Sequence, residues 1–346
     1  MRQSGFIFKG ILLSALAATL ASCNPHEFPS GNGMAPAVTV NLHFNRDFPI
    51  YREISYPDVR SQHEVEMNYT LWGWNCSDGD DKISDREPDL TLNKTAGSTD
   101  EPDTQFKLDG IEPGAWKFLA WAHISDADTH EPLAYTINSH TSITLKTSEE
   151  GEFTTIPWND AFRGETGVAL CCSEQKEVTL EMSRPVGGFE FLTTDMEKFI
   201  ESEITRTNPD KQADNQLNGP NRIIDLDNYT IGYHIQGYYP TEFDNVKNIP
   251  VDARTGLHGS GRIYNNGDGT GRLGGCMVLV NGHETMVRVV LRVYDKEEAI
   301  VTSSPIDIPV VRGKLTLVSG KFLTSDTGSG LGISPDFDDE YNYPVN

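Results

Sequence analysis

The chain has 346 residues and carries 51 acidic against 28 basic side chains, a formal net charge of −23. A surface of that sign repels phosphate backbones and acidic headgroups, which argues against nucleic acid as a partner and against adsorption to anionic lipid. The length exceeds what one hydrophobic core usually serves and implies two domains of about 150 residues each.

In chain order, Arg2 and Lys9 come first, around the start of an apolar run from Ile11 to Ala21. That run is shorter than the roughly 20 residues a membrane-crossing helix needs. A positive start, an apolar middle and small residues at the end form a secretory signal, residues 1–22. It closes on Leu20-Ala21-Ser22-Cys23, which resembles the lipobox of bacterial lipoproteins, where the cysteine sulfur receives a diacylglycerol and becomes the first residue of the mature chain. Removing residues 1–22 takes away two positive charges and no acid, leaving 324 residues and a net charge of −25. One acyl chain binds a bilayer only marginally, but at about 0.8 kcal/mol per buried CH₂ three chains hold on the order of tens of kcal/mol. In the lipoproteins this stretch resembles, Asn rather than Asp after the cysteine, as with Asn24 here, goes with delivery to the outer membrane. Residues 23–36, rich in Pro, Gly and Asn around Gly31-Asn32-Gly33, read as a flexible tether. No later apolar run has the length to span a membrane.

Strand signals start directly after the tether. Val38, Val40, Leu42 and Phe44 alternate with Thr39, Asn41 and His43, the period of a half-buried strand. The same period recurs over Met67 to Leu71, Trp116 to Ile124, Leu133 to Ile137 and Val178 to Met182. Between the second and third of the five, residues 78–112 hold eleven acids and four bases with several Pro, Gly and Ser, a composition that predicts a long exposed loop. Phe189 and Phe191 begin a second series. Thr194 three residues before Glu197 has capping-box spacing and predicts one short helix from about Asp195 to Glu203. Tyr229 to Ile235 alternates, Cys276 to Val280 joins Glu284 to Tyr294 through the hairpin pair Asn281-Gly282, and Ile306 to Val310 and Leu315 to Leu323 follow. Many short strands with little helix predict an all-β chain of antiparallel sandwiches, one over residues 37–183 and one over residues 184–346.

The candidates for chemistry are weak. His283-Glu284 lacks a second histidine at position 287, which is Val287. His123, Asp126, Asp128 and His130 are suitable metal ligands without a recognised spacing, and they read as residues of a solvated loop. Asp78-Gly79-Asp80-Asp81 places its glycine second rather than sixth for a calcium loop. Gly256 to Gly261 does not fit a nucleophile elbow, and Gly267 to Gly271 reads as a hairpin loop rather than a phosphate loop. No cofactor, metal or catalytic residue is expected, and the chain reads as a non-enzyme. Beyond Cys23, the four cysteines Cys76, Cys171, Cys172 and Cys276 allow three pairings, with unlinked small residues as the simplest reading. Trp72 and Trp74 share one face of a strand. They are either core aromatics or exposed rings that stack on sugars, and the latter gives an alternative function as a surface glycan-binding sandwich.

Three stretches resemble one family. Asp160-Ala161-Phe162-Arg163-Gly164, the run from Leu180 to Phe191 with Ser183-Arg184-Pro185 at its centre, and the run from Ile308 to Thr324 with Arg312-Gly313 look like the fimbrillin-type lipoproteins of the Bacteroidales, especially the FimB-like anchor subunits. The ending from Gly332 to Phe337 and through Asn342-Tyr343-Pro344 is similar to that family's last strand. The resemblance implies two tandem transthyretin-like sandwiches on a lipidated amino terminus at the cell surface, held to the outer membrane through Cys23. It also implies fimbrial subunits as partners through donor-strand pairing, with host or bacterial surface ligands for adhesion. Polymerising members of the family lose their first strand by proteolysis after an arginine, whereas anchor members keep it. Arg46 and Arg52 lie just past the first strand here, either as cleavage points or as ordinary loop charges.

Overall fold

A computed structural model describes residues 37–44, 64–77, 79, 82–96, 102–156, 159–171, 175–207, 224–296 and 298–324, and the backbone alone of 332–334 and 343–344. The first part of the chain forms β1 (Ala37–Phe44), β2 (Val65–Asn75), β3 (Leu90–Ala96), β4 (Thr104–Asp109), β5 (Gly114–Asp126), β6 (Tyr135–Ile137), β7 (Ile143–Leu145), β8 (Ala161–Leu170) and β9 (Gln175–Met182). The second part forms β10 (Val186–Thr193), helix α1 (Met196–Thr207), β11 (Tyr229–Ile235), β12 (Tyr239–Asp244), β13 (Ile249–Arg254), β14 (His258–Gly261), β15 (Tyr264–Asn265) and β16 (Gly271–Leu279). It continues with β17 (Glu284–Asp295), β18 (Glu298–Thr302), β19 (Ile306–Val311), β20 (Leu315–Gly320), β21 (Gly332–Ser334) and β22 (Tyr343–Pro344).

The chain is all-β, and its two halves repeat one plan. In the first, a three-stranded sheet in the order β4-β1-β9 faces a four-stranded sheet in the order β3-β2-β5-β8. In the second, β16-β10-β20 stands where β4-β1-β9 stood, and β14-β11-β17 with β19 stands where β3-β2-β5-β8 stood. The additions are β15 beside β16, β21 and β22 beyond β20, and β18 against β17. Alternating strands alone suggest antiparallel neighbours throughout, but in each half the opening strand pairs in parallel with the closing one: β1 with β9 and β10 with β20. Parallel neighbours need a long crossover rather than a tight turn, and here almost the whole sandwich serves as that crossover.

A fifth sheet belongs to neither plan. The excursion β6–β7 between β5 and β8 meets the excursion β12–β13 between β11 and β14, giving the order β13-β12-β7-β6 with Glu242↔Thr144 and Phe243↔Ile143 in register. Residues on the amino-terminal side of position 183 therefore pair and pack with the second sandwich. Phe153 N donates to His258 O at 3.0 Å and Ile156 N to Gly275 O at 3.1 Å.

This bridge buries both faces of β2 and β5. Met67, Tyr69 and Leu71 point into the first sandwich's core with Val40, Phe118 and Leu180. Trp72 and Trp74 point the other way, into a core shared by Trp121, Tyr135, Phe243 and the second sandwich. The run Leu71-Trp72-Gly73-Trp74 is what a strand buried on both faces looks like.

Four sequence expectations differ from the fold. Asn281-Gly282 does not close a hairpin: β16 pairs with β10 and β15 while β17 pairs with β11, β18 and β19, so the turn carries the chain from one sheet to the other. Residues 78–112 are not one loop, because β3 and β4 lie inside them; Leu90 and Leu92 are half-buried and Phe106 and Leu108 buried, while Lys107 and Asp109 of β4 take the solvent face. The helix runs to Thr207, beyond the expected end, and carries Arg206 in its last turn on Glu203 and Asp295. Thr194 does not cap it, since the hydroxyl donates to Gly320 O at 3.2 Å instead.

Candidate functional site

The first strand defines the site. β1 lies between two partners, antiparallel to β4 from Ala37↔Asp109 to Leu42↔Thr104 and parallel to β9 from Ala37↔Gln175 to Phe44↔Met182. Its inward side chains, Val38, Val40, Leu42 and Phe44, are all buried. At about 1.5–3 kcal/mol for each fully buried side chain of this size, the four contribute on the order of 6–12 kcal/mol of gross apolar burial. Phe44 fits edge-on against Phe162 at 4.9 Å and Tyr69 at 6.1 Å between ring centroids. Its backbone N donates to Asp103 Oδ1 at 3.0 Å, and His43 Nδ1 lies 3.0 Å from Asp103 Oδ2. Tyr69 closes the floor by donating its hydroxyl to Pro102 O at 2.7 Å. Burial and then the Asp103 charge push that phenol well above its usual pKa, so it stays a donor. Taken away, β1 would leave a slot with an apolar floor and hydrogen-bonding edges on both β4 and β9.

Cys23, Arg46 and Arg52 lie outside the described residues. The two indoles of the glycan alternative do not offer a stacking platform: Trp72 is 3 % exposed and Trp74 fully buried, because the bridging sheet covers the face on which they project. Trp74 Nε1 donates to Arg86 O at 3.1 Å. Trp116 and Trp121 are buried as well, and Trp158 lies outside the described residues. Cys76 and Cys276 are buried, burial holding the Cys276 thiol well above its ordinary pKa, while Cys171 is exposed; Cys172 lies outside the described residues.

The residues from His123 to His130 do not converge. His123 is buried, Asp126 Oδ1 caps its own loop by accepting from Asp128 N, Thr129 N and the Thr129 hydroxyl, and His130 pairs with Glu66 at 2.8 Å. Among the described residues, no three His, Cys, Asp or Glu side chains gather in a metal-binding arrangement. Ser260 lies on β14 and donates to Glu152 Oε1 at 3.1 Å, and Gly267 and Gly269 form the turn between β15 and β16.

Burial, and secondarily the charge of Lys146, lowers the His123 pKa from 6.5 to about 4. The folded protein thus holds a neutral imidazole where the unfolded chain takes up a proton at about 6.5. Its stabilising effect is complete above pH 6.5 and declines as pH falls toward 4, by about 3 kcal/mol in all. The urea midpoint should drop over that window in the native protein, and His123→Leu should flatten the drop. An unchanged slope in the variant would assign the acid sensitivity elsewhere.

Sequence reasoning did not foresee the joint between the halves. Arg163, near the start of β8, and Arg312, just past the end of the corresponding strand β19, both reach the turn between β12 and β13. Arg163 Nε donates to Asn245 O at 2.7 Å, while Arg312 donates to Asn248 O at 3.4 Å and to the Asn248 side chain. Arg312 Nε also donates to Arg184 O at 3.2 Å. Arg184 in turn forms a buried pair with Asp160, with Nε 2.9 Å from each carboxylate oxygen and Nη2 2.7 Å from Oδ2, and its guanidinium lies 4.7 Å from the centre of the Phe162 ring. The repeated Arg-Gly pair, Arg163-Gly164 and Arg312-Gly313, was the available sequence signal.

A family model described as a family of unknown function, DUF6562, matches residues 35–346. The chain belongs to that family. No curated protein matches it. Among solved structures it is similar to a DUF1812 protein of Bacteroides thetaiotaomicron, a candidate polysaccharide binder, with 10 % identity over 86 % of this chain and 95 % of that one at a TM-score of 0.47. The fimbrial anchor protein Mfa2 from Porphyromonas gingivalis matches with 12 % identity over 87 % and 98 % at 0.43. A fimbrial assembly protein from Parabacteroides distasonis matches with 10 % identity over 91 % and 100 % at 0.40.

Proposed function

We propose that the protein is a non-enzymatic lipoprotein of the outer membrane that anchors a fimbria or serves as one of its subunits, and joins its neighbours by strand exchange. The observation that carries this is the place of β1. It is the first strand of the fold, lies between two others, and contributes a full row of buried side chains. Such a strand can be supplied by the chain itself or by another polypeptide, since backbone hydrogen bonds give affinity and alternate side chains fill pockets. The link to the bilayer is the lipobox-like Leu20-Ala21-Ser22-Cys23. Arg46 and Arg52 stand in the stretch between β1 and β2, where a cut would free β1 from the rest of the chain.

Mass spectrometry of the native amino terminus is the test. An acylated Cys23 with β1 attached indicates an anchor, and a new terminus after Arg46 or Arg52 a polymerising subunit. The Cys23→Ala variant should leave the membrane fraction. Retention there, together with an unmodified thiol at Cys23 in the native protein, would overturn the lipid attachment.

A further inference from the structure

The two parallel pairings have a mechanical consequence. β1 and β9 lie side by side over eight register pairs, and β10 and β20 over six. The chain enters β1 at Ala37, beside the start of β9, and leaves β9 at Met182, passing through residues 183–185 into β10 at Val186. It leaves the second pairing at the far end of β20, Gly320. Tension between Ala37 and the chain beyond Gly320 therefore draws β1 and β9 in opposite directions along their common axis, and does the same to β10 and β20. Parallel strands loaded in this way can only slide, and sliding strains every ladder bond together. Antiparallel strands drawn apart at adjacent ends open one bond at a time instead.

We propose that β1–β9 and β10–β20 are two shear clamps in series, which carry tensile load from the membrane-attached amino terminus through the molecule. The physiological role rests on the proposed anchoring, while the mechanics rest on topology alone. β4 adds a second ladder against which β1 must slide. The end of the second clamp is reinforced by Asp195, 3 % exposed, directly after β10. Its carboxylate accepts from Thr324 N at 2.9 Å, the Thr324 hydroxyl at 2.7 Å and Leu323 N at 3.4 Å, which ties the exit of β20 to the strand it would slide along. At the joint, the Arg184–Asp160 pair and the two arginines on the β12–β13 turn hold the halves together between the clamps.

Single-molecule pulling on the full mature chain without lipid tests this, with one handle at the amino terminus and the other moved. With the second handle at the carboxyl terminus both clamps are sheared. With it inserted after Gly110, just beyond the pair Ala37↔Asp109, β1 is peeled from β4. The first sandwich should unfold at about three times the force or more in the sheared geometry. A handle after Gly282, just beyond the paired ends of β10 and β16, should lower the force for the second sandwich while leaving the first one high. Equal forces in all three geometries, with the unfolding midpoint unchanged by the inserts, would overturn the clamps. Because the chain carries no lipid, that outcome is separate from any result on Cys23.

Discussion

Arg184→Ala is expected to destabilise the protein by about 3–5 kcal/mol, the usual cost of removing one partner from a buried ion pair. Both side chains are almost wholly withdrawn from water, 2 % exposed for Arg184 and 1 % for Asp160. Truncation strands the carboxylate with Ala161 N, at 2.9 Å, in place of the three guanidinium contacts. It also removes the cation from the face of Phe162, in the core behind β1, and withdraws the side chain from the residue whose carbonyl Arg312 holds. The charge rather than the volume is the source of the penalty, so Asp160→Leu combined with Arg184→Met should recover most of the loss. Urea unfolding of the two variants beside the native protein decides the matter. A single-variant loss below about 1 kcal/mol would mean that water reaches Asp160 in solution.

Gly275→Ala should cost about 3 kcal/mol or more, because the added methyl has nowhere to go. A Cβ at this position would lie 1.8 Å from Phe189 O and 2.8 Å from Glu190 Cα, both backbone atoms of β10, so the strands themselves would have to separate. The residue stands next to a bulge in β16, where Gly274 takes φ 78° and the register with β10 shifts between Glu190 and Leu192. Its carbonyl also accepts from Ile156 N, one of the links from the first half of the chain. Gly167→Ala on β8 is the control: its nearest neighbour outside the adjacent residues is Trp116 O at 3.6 Å, an ordinary contact. There the unfolded chain loses freedom and the folded one loses nothing, so a gain of about 0.4–1 kcal/mol is expected. A similar gain at the two positions would show that strand glycines matter here through the unfolded state alone.

Much of the fold was legible where one face of a strand meets water. Val38 to Phe44, Tyr229 to Ile235 and Ile306 to Val310 alternate because solvent lies on one side. Asn281-Gly282 marked a turn, with Gly282 at φ 68°, but not a hairpin, because the strands it joins enter different sheets. β3 escaped notice because only Leu90, Leu92 and Ala96 touch the core while Asn93 and Lys94 break the apolar signal. Trp72 and Trp74 remained ambiguous for the opposite reason. The sheet that covers them is assembled from β6 and β7 together with β12 and β13, the last two more than 150 residues further along the chain, and nothing near the tryptophans records its arrival.

The sequence by itself determined the all-β class, the acidic composition and the alternation that makes β1 a strand, since each is written in composition or in residues close together in the chain. Tertiary structure alone decided which strands are neighbours: that β1 lies parallel to β9, that excursions from both halves form one sheet, and that Arg163, Arg184 and Arg312 meet at the joint. Periodicity states which face of a strand is dry and is silent on what covers it. That choice belongs to the global competition among apolar faces, each lowering its free energy by leaving water.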